Sequence, residues 1–257
     1  MIPGDSSMSS IVQRIARQAL VTFRPPRHAG EAAKSFQENH SKLKSLLTEV
    51  RAADLKLVPR RADGSCPAAG VPPRPYPGAP PPVTYMHICE TDEFSMGVFL
   101  LKSGASIPLH DHPGMHGMLK VMYGKVRISC FDRLDRPAGD PQAAPPAQRG
   151  ALRRCVLRST GEYTEESGPC VLSPDRDNLH QIDAVDGPTA FLDILAPPYD
   201  PDDGRDCHYY KVLSEAEGKT TEEAPKEKEK EVWMMEITQP PDFWCGGEPY
   251  PGPEVSL

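Results

Sequence analysis

Apolar positions recur at helical spacing near the start of the chain. Over residues 9–23, Ile11, Ile15, Ala19 and Phe23 share one stripe with Val12 beside it, and Ser9 or Ser10 is placed to cap the first turn. Pro25-Pro26 ends that helix. A second helix is predicted over about 40–53, with Leu43, Leu46, Leu47 and Val50 on one face and Ser41 near its start. From Pro59 to Pro82 prolines and glycines crowd the chain, which reads as an extended connection. At Val83 the texture changes to short strands: 83–89, 94–102, 107–112, a hairpin of 118–123 and 125–131 around Gly124, then 151–157, 161–164, 170–172, 180–184, 190–195, 208–213 and 232–237. Short strands at this spacing predict a sandwich or closed barrel, not alternating βαβ units. The expected organisation is a helical segment over 1–58, a proline-rich connection over 59–82 and a mainly β domain over 83–257. That domain carries a flexible insert over 132–150 and a charged loop over 214–231.

Composition narrows the function classes. The chain of 257 residues has net charge −7 and pI about 5.6, without a sustained basic run, so nucleic acid is not an expected partner. No apolar run approaches the ~20 residues that cross a bilayer, and the first residues lack the apolar core of a secretory signal. Seven scattered cysteines (66, 89, 130, 155, 170, 207 and 245), with no C-x-x-C, read as reduced thiols. A cytoplasmic monomer is expected, with a nuclear or mitochondrial pool left open. Arg14, Arg17 and Arg24 give the first helix a superficial likeness to a mitochondrial presequence; a helix packed outside the barrel is the preferred reading.

The candidate chemistry lies in Gly104-Ala-Ser-Ile-Pro-Leu-His110-Asp-His112-Pro-Gly-Met-His116-Gly117. Two histidines one residue apart on an extended segment point the same way, which begins a metal site. His180, in Asp177-Asn178-Leu179-His180, is the candidate third ligand. His116, four residues past His112, is expected to be structural or to stand behind the ligands. Gly104, His110, His112 and Gly124 fall on the cupin signature G-x5-H-x-H-x3–4-E-x6-G, with Gly117 where that signature has glutamate. Three neutral imidazoles leave a divalent ion its full charge and open positions. Zinc there would activate water. Ferrous iron more often has two histidines and a carboxylate; a third histidine in its place suits a substrate that brings its own anion, such as a thiolate.

Four segments together resemble the cysteamine (2-aminoethanethiol) dioxygenase family, which is related to the plant cysteine oxidases. They are Thr84-Tyr-Met-His-Ile88, the run Pro108 to Gly117, Arg176-Asp-Asn-Leu-His-Gln-Ile182 and Phe191-Leu-Asp-Ile-Leu-Ala-Pro-Pro-Tyr-Asp200. The likeness extends from Ile15-Ala-Arg-Gln18 to Gly247-Glu-Pro-Tyr-Pro-Gly-Pro253. It implies a cupin jelly-roll barrel with two N-terminal helices outside it. It also implies one Fe(II) per chain on His110, His112 and His180. The implied reaction adds both atoms of O2 to the sulfur of cysteamine or of a protein's N-terminal cysteine, giving a sulfinate; a role in oxygen sensing would follow from the second substrate. The competing readings are another metal cupin, such as a zinc or manganese isomerase or hydrolase, and a cupin that only binds a ligand.

Asp193 is the one charge in the apolar run 190–195, and a carboxylate there is costly unless paired. It would pair with the substrate's ammonium, or else with an arginine of the protein's own, or act as a backbone cap in the core. The resemblance places Asp193 and Tyr199 in the substrate pocket; Tyr199 could face bound dioxygen or merely anchor a loop. Cys207 and Tyr209 are two apart, hence on one face of a strand, and resemble the pair that forms a Cys–Tyr thioether in this family. Two neighbouring core residues would look the same.

Overall fold

The computed structural model describes residues 9–25, 32–61, 78–134, 152–215 and 230–257. Residues 62–77 of the proline-rich connection, 135–151 of the insert and 216–229 of the charged run lie outside the described residues. Two helices precede ten strands: α1 Ile11–Phe23, α2 Ala32–Glu49, β1 Val83–Glu90, β2 Ser95–Leu101, β3 Ser106–His110, β4 His116–Arg133, β5 Leu152–Thr164, β6 Cys170–Leu172, β7 Leu179–Ala196, β8 Tyr209–Glu215, β9 Lys230–Ile237 and β10 Cys245–Gly247.

The Ser10 hydroxyl caps α1 by accepting the Gln13 N–H at 3.1 Å. The helix buries Val12, Ile15, Ala16 and Ala19 completely. The second helix starts at least eight residues before the position expected at residue 40. Its early turns are mostly exposed and carry no apolar stripe, so periodicity could not reveal them. Beyond Glu49 the chain leaves the helix, and a short 3-10 turn follows at Ala52–Leu55.

Strand β4 pairs with β5, β6 and β7; β7 also pairs with β2 and β3; β3 meets β8, β8 meets β9, and β9 returns to β5. The ring β4–β7–β3–β8–β9–β5 therefore closes into a barrel, and β2, with β1 and β10 beyond it, pairs with the second half of β7 on the same edge as β3. The fold is mainly β, a closed barrel with two helices against it.

Both long strands were expected in two pieces, and the reason is the same bend in each. Gly124 is not the turn of a hairpin. It has φ +75° inside β4, and a Cβ there would lie 2.5 Å from the Pro188 carbonyl oxygen of β7. Opposite it, Asp186 and Gly187 also have positive φ, and the β4–β7 register slips on either side of Tyr123. These are facing bulges that bend two continuous strands. The breaks expected between 157 and 161 and between 184 and 190 are likewise internal to β5 and β7.

Alternation sorts the core. Met96, Val98 and Leu100 of β2 and Ala190, Leu192, Ile194 and Ala196 of β7 pack under the helices with Val12, Ile15, Leu43 and Leu47. The opposite face of these strands carries Phe99 and Phe191, with Leu119 and Val121 of β4, into a second cluster. Asp193 shares that second face with Phe191. Covering both faces explains why 190–196 is nearly all apolar. The tail contributes β10 beside β1 and is pinned to α1 by reciprocal Gln13–Ser256 hydrogen bonds of 2.8 and 2.9 Å.

Candidate metal centre

The β3–β7 ladder sets His110 opposite His180, and His112 follows two residues beyond the end of β3. The three rings stand 4.6–4.7 Å apart between centroids, and one nitrogen from each lies within 4.8 Å of the others. All three histidines are buried.

Two carbonyls fix the orientation of the first two rings. His110 Nδ1 is 2.8 Å from the Pro108 carbonyl and His112 Nδ1 is 2.7 Å from that of Asn178. A carbonyl only accepts, so each Nδ1 carries the proton and each Nε2 keeps its lone pair for a metal. Burial holds the His112 pKa down at about 3 and pushes His110 and His180 below the ordinary range, with the neighbouring imidazoles adding to it at His112 and His180. Three neutral, convergent donors are the state a divalent cation requires. The donor set fits a metal.

Asn178 had no role in the sequence reading. Its side chain accepts the His112 N–H at 3.1 Å and donates to the His112 carbonyl at 2.7 Å and the Ser173 carbonyl at 3.0 Å. It thus clamps the ligand turn to the strand that supplies His180. Gly117 stands at the cupin glutamate position on β4, paired with Leu172 and Leu195. A Cβ at this position would come within 2.9 Å of the Leu172 side chain, so the space a glutamate would need is filled. His116 lies against Phe23 and Phe36 of the two helices, with centroids 5.9 and 5.0 Å away. It joins the helices to the barrel.

A cleft of about 240 Å³, part of it open to solvent, adjoins His180. Gly117, Leu119, Cys130, Cys170, Asp177 and Asp193 are among the residues that line it, and among the described residues no lysine or arginine is. Asp193 pairs across the sheets with Gly97 and Leu119. The one polar contact of its carboxylate among the described residues is its neighbour's Ile194 N–H, and burial pushes its pKa up to about 7.

Tyr199 and Cys207 also lie close to the ligands, and the Asp193 carboxylate is near enough to act on Tyr199. The Tyr199 ring is 5.8 Å from that of His112, and its hydroxyl donates to the Asp111 carbonyl at 2.7 Å. The Cys207 thiol is within hydrogen-bonding reach of both the Tyr199 and Tyr209 hydroxyls. Burial pushes this thiol up to about 11, and burial and the thiol push both tyrosines upward. Cys207 precedes β8 rather than lying in it, yet its side chain still meets that of Tyr209. Tyr209 stands opposite His110 in the β3–β8 pairing.

Comparison with known proteins matches this arrangement. Over its whole length the chain is 60% identical to 2-aminoethanethiol dioxygenase of Mus musculus and 57% identical to that of Homo sapiens, covering 99% of each chain in both cases. Plant cysteine oxidase 1 of Arabidopsis thaliana is 31% identical, over 85% of this chain and 72% of that protein. A cupin superfamily protein of Desulfitobacterium hafniense superposes with a TM-score of 0.31 at 13% identity, over 54% of this chain and 100% of that one. The model of the PCO_ADO family matches residues 46–255, and the chain belongs to that family.

Proposed function

We propose that the protein is a thiol dioxygenase that converts cysteamine, or the N-terminal cysteine of a polypeptide, to the sulfinic acid. The observation that carries this reading is the pairing of a buried three-imidazole group with a carboxylate in the adjoining cleft that has, among the described residues, one backbone N–H and no cation as partner. His110, His112 and His180 would hold one Fe(II), which supplies the open positions at which a thiolate and O2 react. The names of the curated relatives and the absence of a glutamate at position 117 support iron with a thiolate substrate over a water-activating zinc.

Asp193 supplies the orientation. Both substrates carry an ammonium two carbons from sulfur, and a carboxylate facing the cleft can hold that ammonium while the sulfur reaches the histidines. The cleft lining offers no cation for a substrate carboxylate, which suits a cysteine whose carbonyl continues into a polypeptide. Leu119 and Leu172, with the apolar bodies of Met118 and Val171, limit water beside the reacting sulfur. Tyr199, Cys207 and Tyr209 form a further wall beside the ligands. A Cys207–Tyr209 thioether is part of the same reading: a bond from sulfur to the ring forms, two hydrogens leave, and O2 takes them up. Action on protein N-termini would let the enzyme report oxygen supply.

Metal analysis of protein purified without added metal, combined with O2 uptake during turnover of cysteamine, tests the proposal. It expects one iron per chain and one O2 consumed per thiol. Stoichiometric zinc or manganese in protein that consumes no O2 would favour an isomerase or hydrolase instead.

A further inference from the structure

Asp111, the residue between the first two ligands, is the most heavily bonded side chain near the site. Alternation turns it away from His110 and His112, and its side chain is only 4% exposed. Oδ1 accepts the His208 backbone N–H at 2.9 Å and lies 3.1 Å from His208 Nδ1. Oδ2 accepts from the Tyr210 hydroxyl and from Arg133, each at 2.9 Å. The Asp111 backbone N–H donates to the His208 carbonyl at 3.1 Å, and its carbonyl accepts the Tyr199 hydroxyl. Every polar atom of Asp111 is therefore bonded, and the partners alternate with Cys207 and Tyr209 along the start of β8.

This matters because of where the barrel is thin. Strands β3 and β8 pair at one position, His110 opposite Tyr209, whereas the β4–β7 ladder runs nearly the length of both strands. A single pair fixes neither the angle nor the register of a seam. The Asp111 carboxylate supplies the missing cross-links, and charge-assisted bonds of this kind are stronger than neutral ones.

We infer that Asp111 is a positioning residue: it fixes the cluster of Tyr199, Cys207 and Tyr209 against the ligand turn, so that this wall keeps its place relative to the three histidines. Its consequence for turnover rests on the proposed dioxygenase reading, but the placement itself can be tested without any activity. Asp111→Asn keeps the shape and an acceptor for His208, and leaves Tyr210 and Arg133 facing an amide N–H.

The test is alkylation with iodoacetamide, read peptide by peptide in the mass spectrometer on metal-loaded protein prepared without O2, so that Cys207 is still a free thiol. Cys207 in Asp111→Asn should label about tenfold faster than in the unaltered protein, while buried Cys155 stays protected and the metal stays bound. Tyr210→Phe, which removes one donor, should raise Cys207 labelling about threefold. In turnover, kcat of Asp111→Asn should fall about tenfold with KM within about twofold, because the ligands and Asp193 are untouched. The inference is overturned if Cys207 labels no faster, or only in step with Cys155, since that reports general loosening. It is equally overturned if kcat falls only in proportion to lost metal. If Asp111→Asn does not fold, Tyr210→Phe and Arg133→Met decide by the same criteria. A wild-type protein that oxidises no thiol would sink the dioxygenase reading and leave the labelling result standing.

Discussion

Two aspartates flank the metal centre, and they are treated in opposite ways. Asp111 is buried and surrounded by donors: a backbone N–H, an imidazole, a phenol and a guanidinium. Asp193 sits in the cleft with one backbone N–H, and its pKa rises to about 7 because burial opposes its charge. The inventory of partners separates the two carboxylates. A saturated carboxylate ties strands together. On the proposed reading, one left short of partners in a cleft beside three convergent imidazoles would have its partner brought in by the ligand.

The largest effect should come from the centre both aspartates serve. His180→Ala, like His110→Ala and His112→Ala, should lose most of its metal and nearly all turnover, as metal analysis and a thiol assay would register. A variant that keeps both would remove that histidine from the ligand set. His116→Ala, in contrast, should keep its metal, since that ring packs on Phe23 and Phe36.

Asp193→Asn comes next. A charge-assisted hydrogen bond is worth roughly 1.5–3 kcal/mol, so kcat/KM should fall about ten- to a hundredfold. Metal content should hold, in contrast to the histidine variants. Loss of metal in step with activity would make Asp193 structural and erase the contrast with Asp111. In the unaltered enzyme, kcat/KM should rise as the pH passes upward through about 7, because only the ionised carboxylate pairs with an ammonium.

The smallest effect concerns stability. The native state holds the Asp193 proton more tightly than the unfolded chain does, so this group favours folding at acid pH. That contribution is lost as the pH rises through about 7. Asp193→Asn should therefore raise the Tm of metal-free protein by a few degrees at about pH 8.5 and by less at about pH 5.5. An unchanged Tm at both pH values would mean that the carboxylate is better solvated than its position implies.

How much of this the sequence carries depends on whether a residue's role is local. The H-x-H spacing, His180 and the lone charge at Asp193 are local patterns, and the structure brings the three histidines together beside that charge. Helix α1 was legible because its stripe is complete, and α2 was legible only where it buries Leu43 and Leu47. Gly124 misled because a glycine in a strand pattern fits a turn or a bulge, and only Pro188 on the facing strand decides which. Asp111 and Asn178 were invisible for a related reason: their partners are 97 and 66 residues away. Nothing in the spacing of Asp111 distinguishes it from a solvated aspartate.

The account turns on Asp193 and the substrate amine, and one cycle of rates tests it most directly. A peptide beginning with cysteine and its N-acetylated form are incubated in air with Fe(II)-loaded wild-type protein and with Asp193→Asn, and the mass gain of two oxygen atoms is followed. The wild type should oxidise the free-amine peptide about ten- to a hundredfold faster than the acetylated one, and Asp193→Asn should show little preference between them. A variant that keeps the full preference, or a wild type that oxidises both peptides equally, would contradict the pairing and leave the Asp193 carboxylate without its role.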